Sequence, residues 1–545
     1  MQLYSALPLL ASIVSFLGTV QAYDIGCVYP TDMPEPFQAR GALAEAGSEW
    51  MVMKKFETPM VVHKAHTYTL AQAACLAYHD ENVLNPITGQ SPAFRTPPAY
   101  QNSWSRTLCV AQVGWFLFPE AITPLLQDWG FTFRSTMDPD LEACGGDGAC
   151  MEAVVMNKDY DPRLIAMVIR LDLLEYLETD GWNSLGKHTY DYEQGTIVDC
   201  TTNCAPYTDT YGYYPKNNHP GEPSASSDKY TVTGKDMHWQ PIMEVIEDGS
   251  FIRQEHVAPH IGFNAKPALL QEFKNASDPM YDYKAEADLV VERLKQTTMD
   301  EAMKEQIKFF DGKLGVRYLI QRSLTKQAAA VLTFEDFLLF LLGISSAEHD
   351  AVLAAWREKV RYDLVRPTTV IHRWNNDVLT TFNGDPMATM PGDIAARDFQ
   401  PFIRVMPHAE YPSGSSSLCT AYAEFTDLFT QDMFGLDLDV LPVGGSVGLK
   451  LNCGARNDSP WKFGCGASFH VKNMTELAYV CGESRLWGGM HFTAAIAGGI
   501  EVSTGLGQLG LDFMKTIKNG SNFTSTALRR HTRPTCPNRR NLRGE

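Results

Sequence analysis

The chain is 545 residues long, 44% hydrophobic, 11% aromatic and 20% charged. That apolar share excludes a disordered or fibrous protein, and the length requires two structural units or one large helical assembly. With 46 Lys plus Arg against 64 Asp plus Glu, the net charge of −18 repels polyanions and argues against nucleic-acid or anionic-membrane binding. An anion that binds here must be gripped by a local cluster of positive groups.

In chain order, residues 1–22 read as a secretory signal. An apolar run from Ala6 to Val20 ends at Val20-Gln21-Ala22, with small residues where a signal peptidase needs them. An uncleaved anchor is the alternative, but the run, at about 15 residues, is short for a bilayer span. A secreted or secretory-lumen protein is therefore expected, with no integral membrane segment after cleavage. The densest later apolar run, Phe334 to Ile344, is interrupted by Glu335 and Asp336 and is not expected to span a bilayer.

Apolar residues at i, i+3, i+4 spacing predict helices over Leu70–His79, Met151–Thr179, Ala285–Lys313, Phe334–Asp363, Ser416–Phe434 and Ala494–Ile517. Asn183–Trp239, rich in Tyr, Gly, Pro and Asn, reads as a surface excursion packing over helices. The expected fold is all-α: two packed helical bundles with long irregular loops, stabilised by disulfides. The division is residues 23–325, residues 326–520 and a basic tail, 521–545.

All twelve cysteines follow the signal, an even number suited to an oxidising compartment. Cys144/Cys150, Cys200/Cys204 and Cys453/Cys465 are close enough for local bridges. A zinc site at Cys200 and Cys204 is the weaker alternative, because no second ligand pair follows at a usual spacing. Sequons at Asn275, Asn473, Asn519 and Asn522 fit a glycosylated surface.

Three segments carry chemistry. In Trp356-Arg-Glu-Lys359-Val-Arg-Tyr-Asp-Leu-Val-Arg366-Pro367, Lys359 and Arg366 lie two helical turns apart on one face, and Pro367 ends or bends the helix. Alone, this is a solvated basic stripe. In Glu410-Tyr411-Pro412-Ser413-Gly414-Ser415, hydroxyls can cap a helix and Gly414 lets the backbone approach a ligand closely. The exposed amides of a helix start also attract anions. Alone, this is an ordinary capped helix. In Ser484-Arg485-Leu-Trp-Gly488-Gly489-Met-His491, a lone histidine is more often core than ligand.

Taken together and in that order, Lys-x6-Arg-Pro, Pro-Ser-Gly and Ser-Arg-x5-His resemble the signature of the vanadium-dependent haloperoxidases, which are related to the type 2 phosphatidic acid phosphatases and bacterial acid phosphatases. Thr179–Asn183, Trp239–Ile242, His256–His260 and Ala347–Arg366 look like the longer, two-bundle haloperoxidases, and the resemblance spans roughly residues 60–515. It implies a vanadate cofactor held by Lys359, Arg366, Arg485, Ser413 and Gly414, with His491 as the axial vanadium ligand. It also implies small-molecule substrates: hydrogen peroxide, a halide and an organic acceptor. Lys359 would polarise the peroxide, and halide attack would yield hypohalous acid.

The chain departs from the pattern at Ser415, where the family has an acid–base histidine. A hydroxyl is far too weak a base to replace it. His408, Glu410 or His372 are the candidates to substitute, with His408 preferred and Ser415 retained in the catalytic set. The expected activity is oxidation of bromide or iodide; an acid phosphatase on the same site and a non-catalytic oxyanion-binding protein are the alternatives. Position 495, where some members carry a carboxylate, is alanine, so the partner of His491 is not identified by the pattern.

Overall fold

The computed structural model describes residues 58–101, 103–118, 134–202, 205–218, 226–245, 251–313, 316–317, 332–435, 447–450, 468–471 and 473–520. The expected signal, the tail, Cys204, Cys453, Cys465 and Asn522 lie outside them.

The fold is all-α, two packed bundles as expected. Its centre is a 29-residue helix, α9 (Phe334–Tyr362). Thr333 caps it by accepting the amide of Asp336 at 3.1 Å, and Glu335 and Asp336 place negative charge at its positive end. Around α9 pack α1 (Thr58–Ala77), α11 (Gly414–Phe434), α13 (Thr493–Ser503) and α14 (Leu506–Asn519). Against α1 lie α2 (Ser103–Leu117) and α5 (Pro162–Thr179), and α12 (Met474–Trp487) packs on α11. One apolar cluster runs through Leu70, Val110, Ile165, Phe337, Phe425 and Leu511, so both halves of the chain share a core. By length and composition α9 could cross a membrane, contrary to the expectation that no later segment would. Its apolar window is wholly buried inside the protein, as suits a core helix.

The other differences have local causes. α1 begins twelve residues before the predicted Leu70, because nearly all its residues are buried and a helix covered all round shows no amphipathic period. The predicted Met151–Thr179 is two helices, α4 (Gly148–Met156) and α5. Asp159 and Tyr160 take left-handed backbone, and Asp161 with Pro162 restarts the helix. The predicted Ala285–Lys313 breaks at Asp300, whose extended backbone lets it end α7 (Tyr283–Met299) and cap α8 (Glu301–Asp311). The predicted Ala494–Ile517 breaks at Gly505, φ +95°; its amide and that of Gly507 both bond the Glu424 carboxylate.

Among the described residues, four short antiparallel strand pairs decorate the helices. The Asn183–Trp239 excursion packs over the α9 terminus: Trp239 donates its amide to Asp363 at 2.7 Å, and Val365 donates to Met237 at 2.9 Å. Disulfides join Cys75–Cys109, Cys144–Cys150 and Cys419–Cys481, and Cys200 is also bridged. The first and third link helices far apart in sequence. Cys419–Cys481 ties α11 to α12, the two helices that bring up Gly414 and Arg485.

Candidate active site

Lys359 lies on the last turn of α9, and Arg366 immediately precedes α10 (Pro367–His372). α9 stops at Asp363, whose left-handed backbone, φ 53°, is stabilised by Tyr213 O–H donating to its carboxylate at 2.6 Å. Lys359 is fully buried, and its ammonium donates to the carbonyls of Ala409 (2.7 Å) and Glu410 (3.1 Å). Arg366 donates to the carbonyls of His408 (3.0 Å) and Met490 (2.9 Å). These bonds fasten the strand before α11 and the turn after α12 to the same two cations.

Ser413 caps α11, its side chain accepting the Ser416 amide at 3.3 Å, which leaves its O–H to donate. A Cβ on Gly414 would sit 3.2 Å from the Trp356 ring and 3.9 Å from Lys359 Cε, so a glycine suits this tight approach. A Cβ on Gly499 of α13 would come 2.5 Å from the Ser413 carbonyl, which shows how closely the helix behind is pressed.

His491 follows α12. Its Nδ1 lies 2.9 Å from Glu410 Oε1, which also accepts the Phe492 amide at 2.9 Å; Tyr281 O–H donates to Oε2 at 2.8 Å. Two donors on one carboxylate oxygen assign the Nδ1 proton to His491, so Nε2 carries the lone pair. Burial first, then Arg366, Lys359, Arg485 and Lys313, holds the His491 pKa well below 6.5. The imidazole is therefore neutral at physiological pH, the form that ligates. Burial pushes the Glu410 carboxyl up to about 7. Lys359 is held well below 10.5 by burial and by Arg366, and burial lowers Arg366 to about 10.

Beside these groups opens a small cleft. Trp356, His408, Gly414, Ser415, Arg485 and His491 line it. Arg485 is 2% exposed and anchored by Asp311 (3.3 Å) and the Phe310 carbonyl (3.2 Å), while its Nε is buried with no hydrogen-bond partner.

The substitution candidates separate. His408 faces the cleft, its ring 4.9 Å from Trp356. Its Nδ1 lies 2.9 Å from Arg366 Nη2 and 3.2 Å from the Ala409 carbonyl. Burial, then Lys359 and Arg366, keeps this imidazole neutral. Glu410 is instead the partner of His491, which answers the question left by Ala495. His372 bonds the Phe399 carbonyl at 2.8 Å and is not among the cleft residues. The sequence pattern did not assign the parts of Glu410, Tyr281 and Asp311. For Glu410 the nearest signal was its place three residues before Ser413; Tyr281, just before α7, and Asp311, at the end of α8, arrive from distant segments and left none.

The residues suit a tetrahedral oxyanion. Three buried cations face two carboxylates, one of which takes up a proton near neutrality. Arg485 carries an unanswered N–H, and a side chain at Gly414 would press on the Trp356 ring.

Residues 339–520 match the model of the VCPO second helical-bundle domain. That stretch is a VCPO-type bundle. The whole chain shares the fold of a holo-type bacterial vanadium-dependent chloroperoxidase, with TM-score 0.67, 20% identity, and coverage of 90% of this chain and 99% of that one. The apo-type structure gives 0.65 and 20%, covering 84% and 94%. A bacterial vanadium-dependent iodoperoxidase gives 0.53 and 15%, covering 87% and 96%. Comparison with curated proteins gave no match. The resemblance drawn from the three sequence segments is borne out: all three lie within the VCPO-type bundle.

Proposed function

We propose that this protein is a secreted, vanadate-dependent haloperoxidase that oxidises bromide or iodide with hydrogen peroxide. The observation that carries the proposal is His491 on the cleft wall, its Nδ1 held by Glu410 and its lone-pair Nε2 3.5 Å from Arg366, where buried cations outnumber carboxylates. Lys359, Arg366, Arg485, the Ser413 hydroxyl and the Gly414 amide would hold vanadate, with His491 Nε2 as its nitrogen ligand. Bound vanadate supplies Lewis-acid activation of peroxide without a change of oxidation state.

The chain's own residues do the rest. Arg366 and Arg485 are clamped by carbonyls and Asp311, so charge is presented without reorganisation. Lys359 offers an ammonium beside Gly414. Halide oxidation consumes one proton: the halide gives an electron pair to a peroxide oxygen, the O–O bond breaks, and hypohalous acid and water leave. Ser415 is a poor proton carrier; His408, neutral at rest and on the cleft wall, is the group to take a proton from incoming peroxide and return it when the O–O bond breaks. Hypohalous acid then halogenates an organic acceptor.

The test is bromination of a phenol dye by purified protein supplied with orthovanadate and peroxide. Halide- and vanadate-dependent turnover is expected. Hydrolysis of a phosphate monoester without bromination would make the protein a phosphatase, and vanadate binding with neither activity would make it a binding protein.

A further inference from the structure

Every cysteine among the described residues is bridged, so the soft nucleophiles left there are thioethers, whose polarisable sulfur is readily oxidised. Two methionines line the cleft, Met406 and Met490. Met490 is 3% exposed, and its carbonyl accepts the Arg366 bond. Met406, two residues before His408, is half-buried and the more open of the two. Three other methionines stand out in solvent: Met280, Met387 and Met390 are 92%, 74% and 68% exposed, and none of them lines the cleft.

Exposure alone puts Met280, Met387 and Met390 first for an oxidant arriving from bulk water. An oxidant released inside the cleft meets a different order. A group on the wall is already held beside the point of release, and such proximity acts as a high local concentration.

We propose that Met406 is a self-modification site: hypohalous acid formed in the cleft converts its thioether to the sulfoxide ahead of the exposed methionines, and this slows further turnover. The oxidant comes from the haloperoxidase reading, on which the proposal rests. In the step, the sulfur takes the oxygen of hypohalous acid and gives up two electrons, the halogen is reduced to halide, and the O–H proton passes to solvent. The sulfoxide puts a polar group in place of an apolar one, on the wall that also carries His408 and Ser415.

The test maps methionine sulfoxide by peptide mass spectrometry. One sample, full-length protein loaded with vanadate, turns over bromide with peroxide, while bromination of a phenol dye is followed in parallel. A second, without vanadate, receives the same dose of reagent hypobromous acid. A third has vanadate and peroxide but no halide. During turnover Met406 should be oxidised at least about threefold ahead of Met280, Met387 and Met390; reagent acid should reverse that order, and the halide-free sample should leave Met406 intact. Met406→Leu, which keeps the bulk and removes the sulfur, should complete about twice as many turnovers before losing activity. Dye bromination with the exposed methionines oxidised first overturns the proposal and leaves the haloperoxidase reading standing. So does equal oxidation of Met406 without halide, which would make peroxide itself the oxidant, or an equal lifetime in Met406→Leu. Absence of both dye bromination and halide-dependent sulfoxide sinks the haloperoxidase reading and this proposal with it.

Discussion

Two regions of this molecule bury several histidines, and they use them in opposite ways. Between α1, α5 and α9, His63 bonds Asp180 at 2.8 Å and the Tyr207 hydroxyl at 3.1 Å. His349 bonds Asp350 at 2.9 Å and accepts the Trp182 indole N–H at 2.9 Å, with His66 laid against its ring at 4.5 Å. Both nitrogens of His63 and His349 are answered inside the protein. At the cleft, His491 has Nδ1 on Glu410 at 2.9 Å and Nε2 3.5 Å from Arg366 Nη1, while His408 has Nδ1 2.9 Å from Arg366 Nη2. A buried imidazole is therefore no mark of a site by itself. What distinguishes the site is a place on the cleft wall and an excess of neighbouring positive charge.

The largest effect that would sharpen this contrast is on vanadate affinity. His491→Ala is expected to lower it by at least about 100-fold, following the magnitudes for groups that set metal affinity, with little change in thermal stability. Asp180→Ala should do the reverse. It leaves His63 unsatisfied and costs about 2–3 kcal/mol in denaturant unfolding, with vanadate affinity unchanged once folded. If Asp180→Ala abolished vanadate binding in folded protein, the two regions would not be independent.

Next in size, His408→Ala should lower halide turnover by about 100-fold, in the range for general acid–base groups, and vanadate binding by much less. Steady-state kinetics beside calorimetric titration separates the two. Full turnover in that variant would remove His408 from proton delivery.

Glu410→Gln should weaken vanadate binding by about tenfold and change its pH profile. The ionised carboxylate strengthens the Nδ1–H bond and makes Nε2 a better ligand. Affinity should therefore fall as pH drops through about 7, where Glu410 takes up its proton. The Gln variant should lack that inflection, and a wild type with no inflection near 7 would sink the assignment. The smallest effect expected is a few-fold gain in chloride oxidation for Ser415→His, measured by monochlorination of a dye.

Much of this was legible in the sequence. Lys359, Arg366, Ser413–Gly414, Arg485 and His491 stand out by local spacing, because each sits where a helix starts or ends, and helix ends carry compositional marks. Cys144–Cys150 was legible for the same reason, its loop being short. Contacts closed by tertiary packing left no such mark. Glu410 meets His491 across 81 residues, and Cys419 pairs with Cys481 across 62, because α11 and α12 pack side by side. The helix breaks at Asp159–Tyr160, Asp300 and Gly505 fell inside unbroken apolar periodicity, which registers faces but not kinks.

The hydroxyl of Tyr213 reaches out of the long excursion to seize Asp363, and the Lys216 amide bonds the same carboxylate at 3.2 Å. Asp363 in turn ends the helix whose last turn bears Lys359. Anyone shortening the excursion to widen access for bulky acceptors can trim its outer hairpin, but Tyr213 to Lys216 is the rivet through which that trimming would be felt at the ammonium.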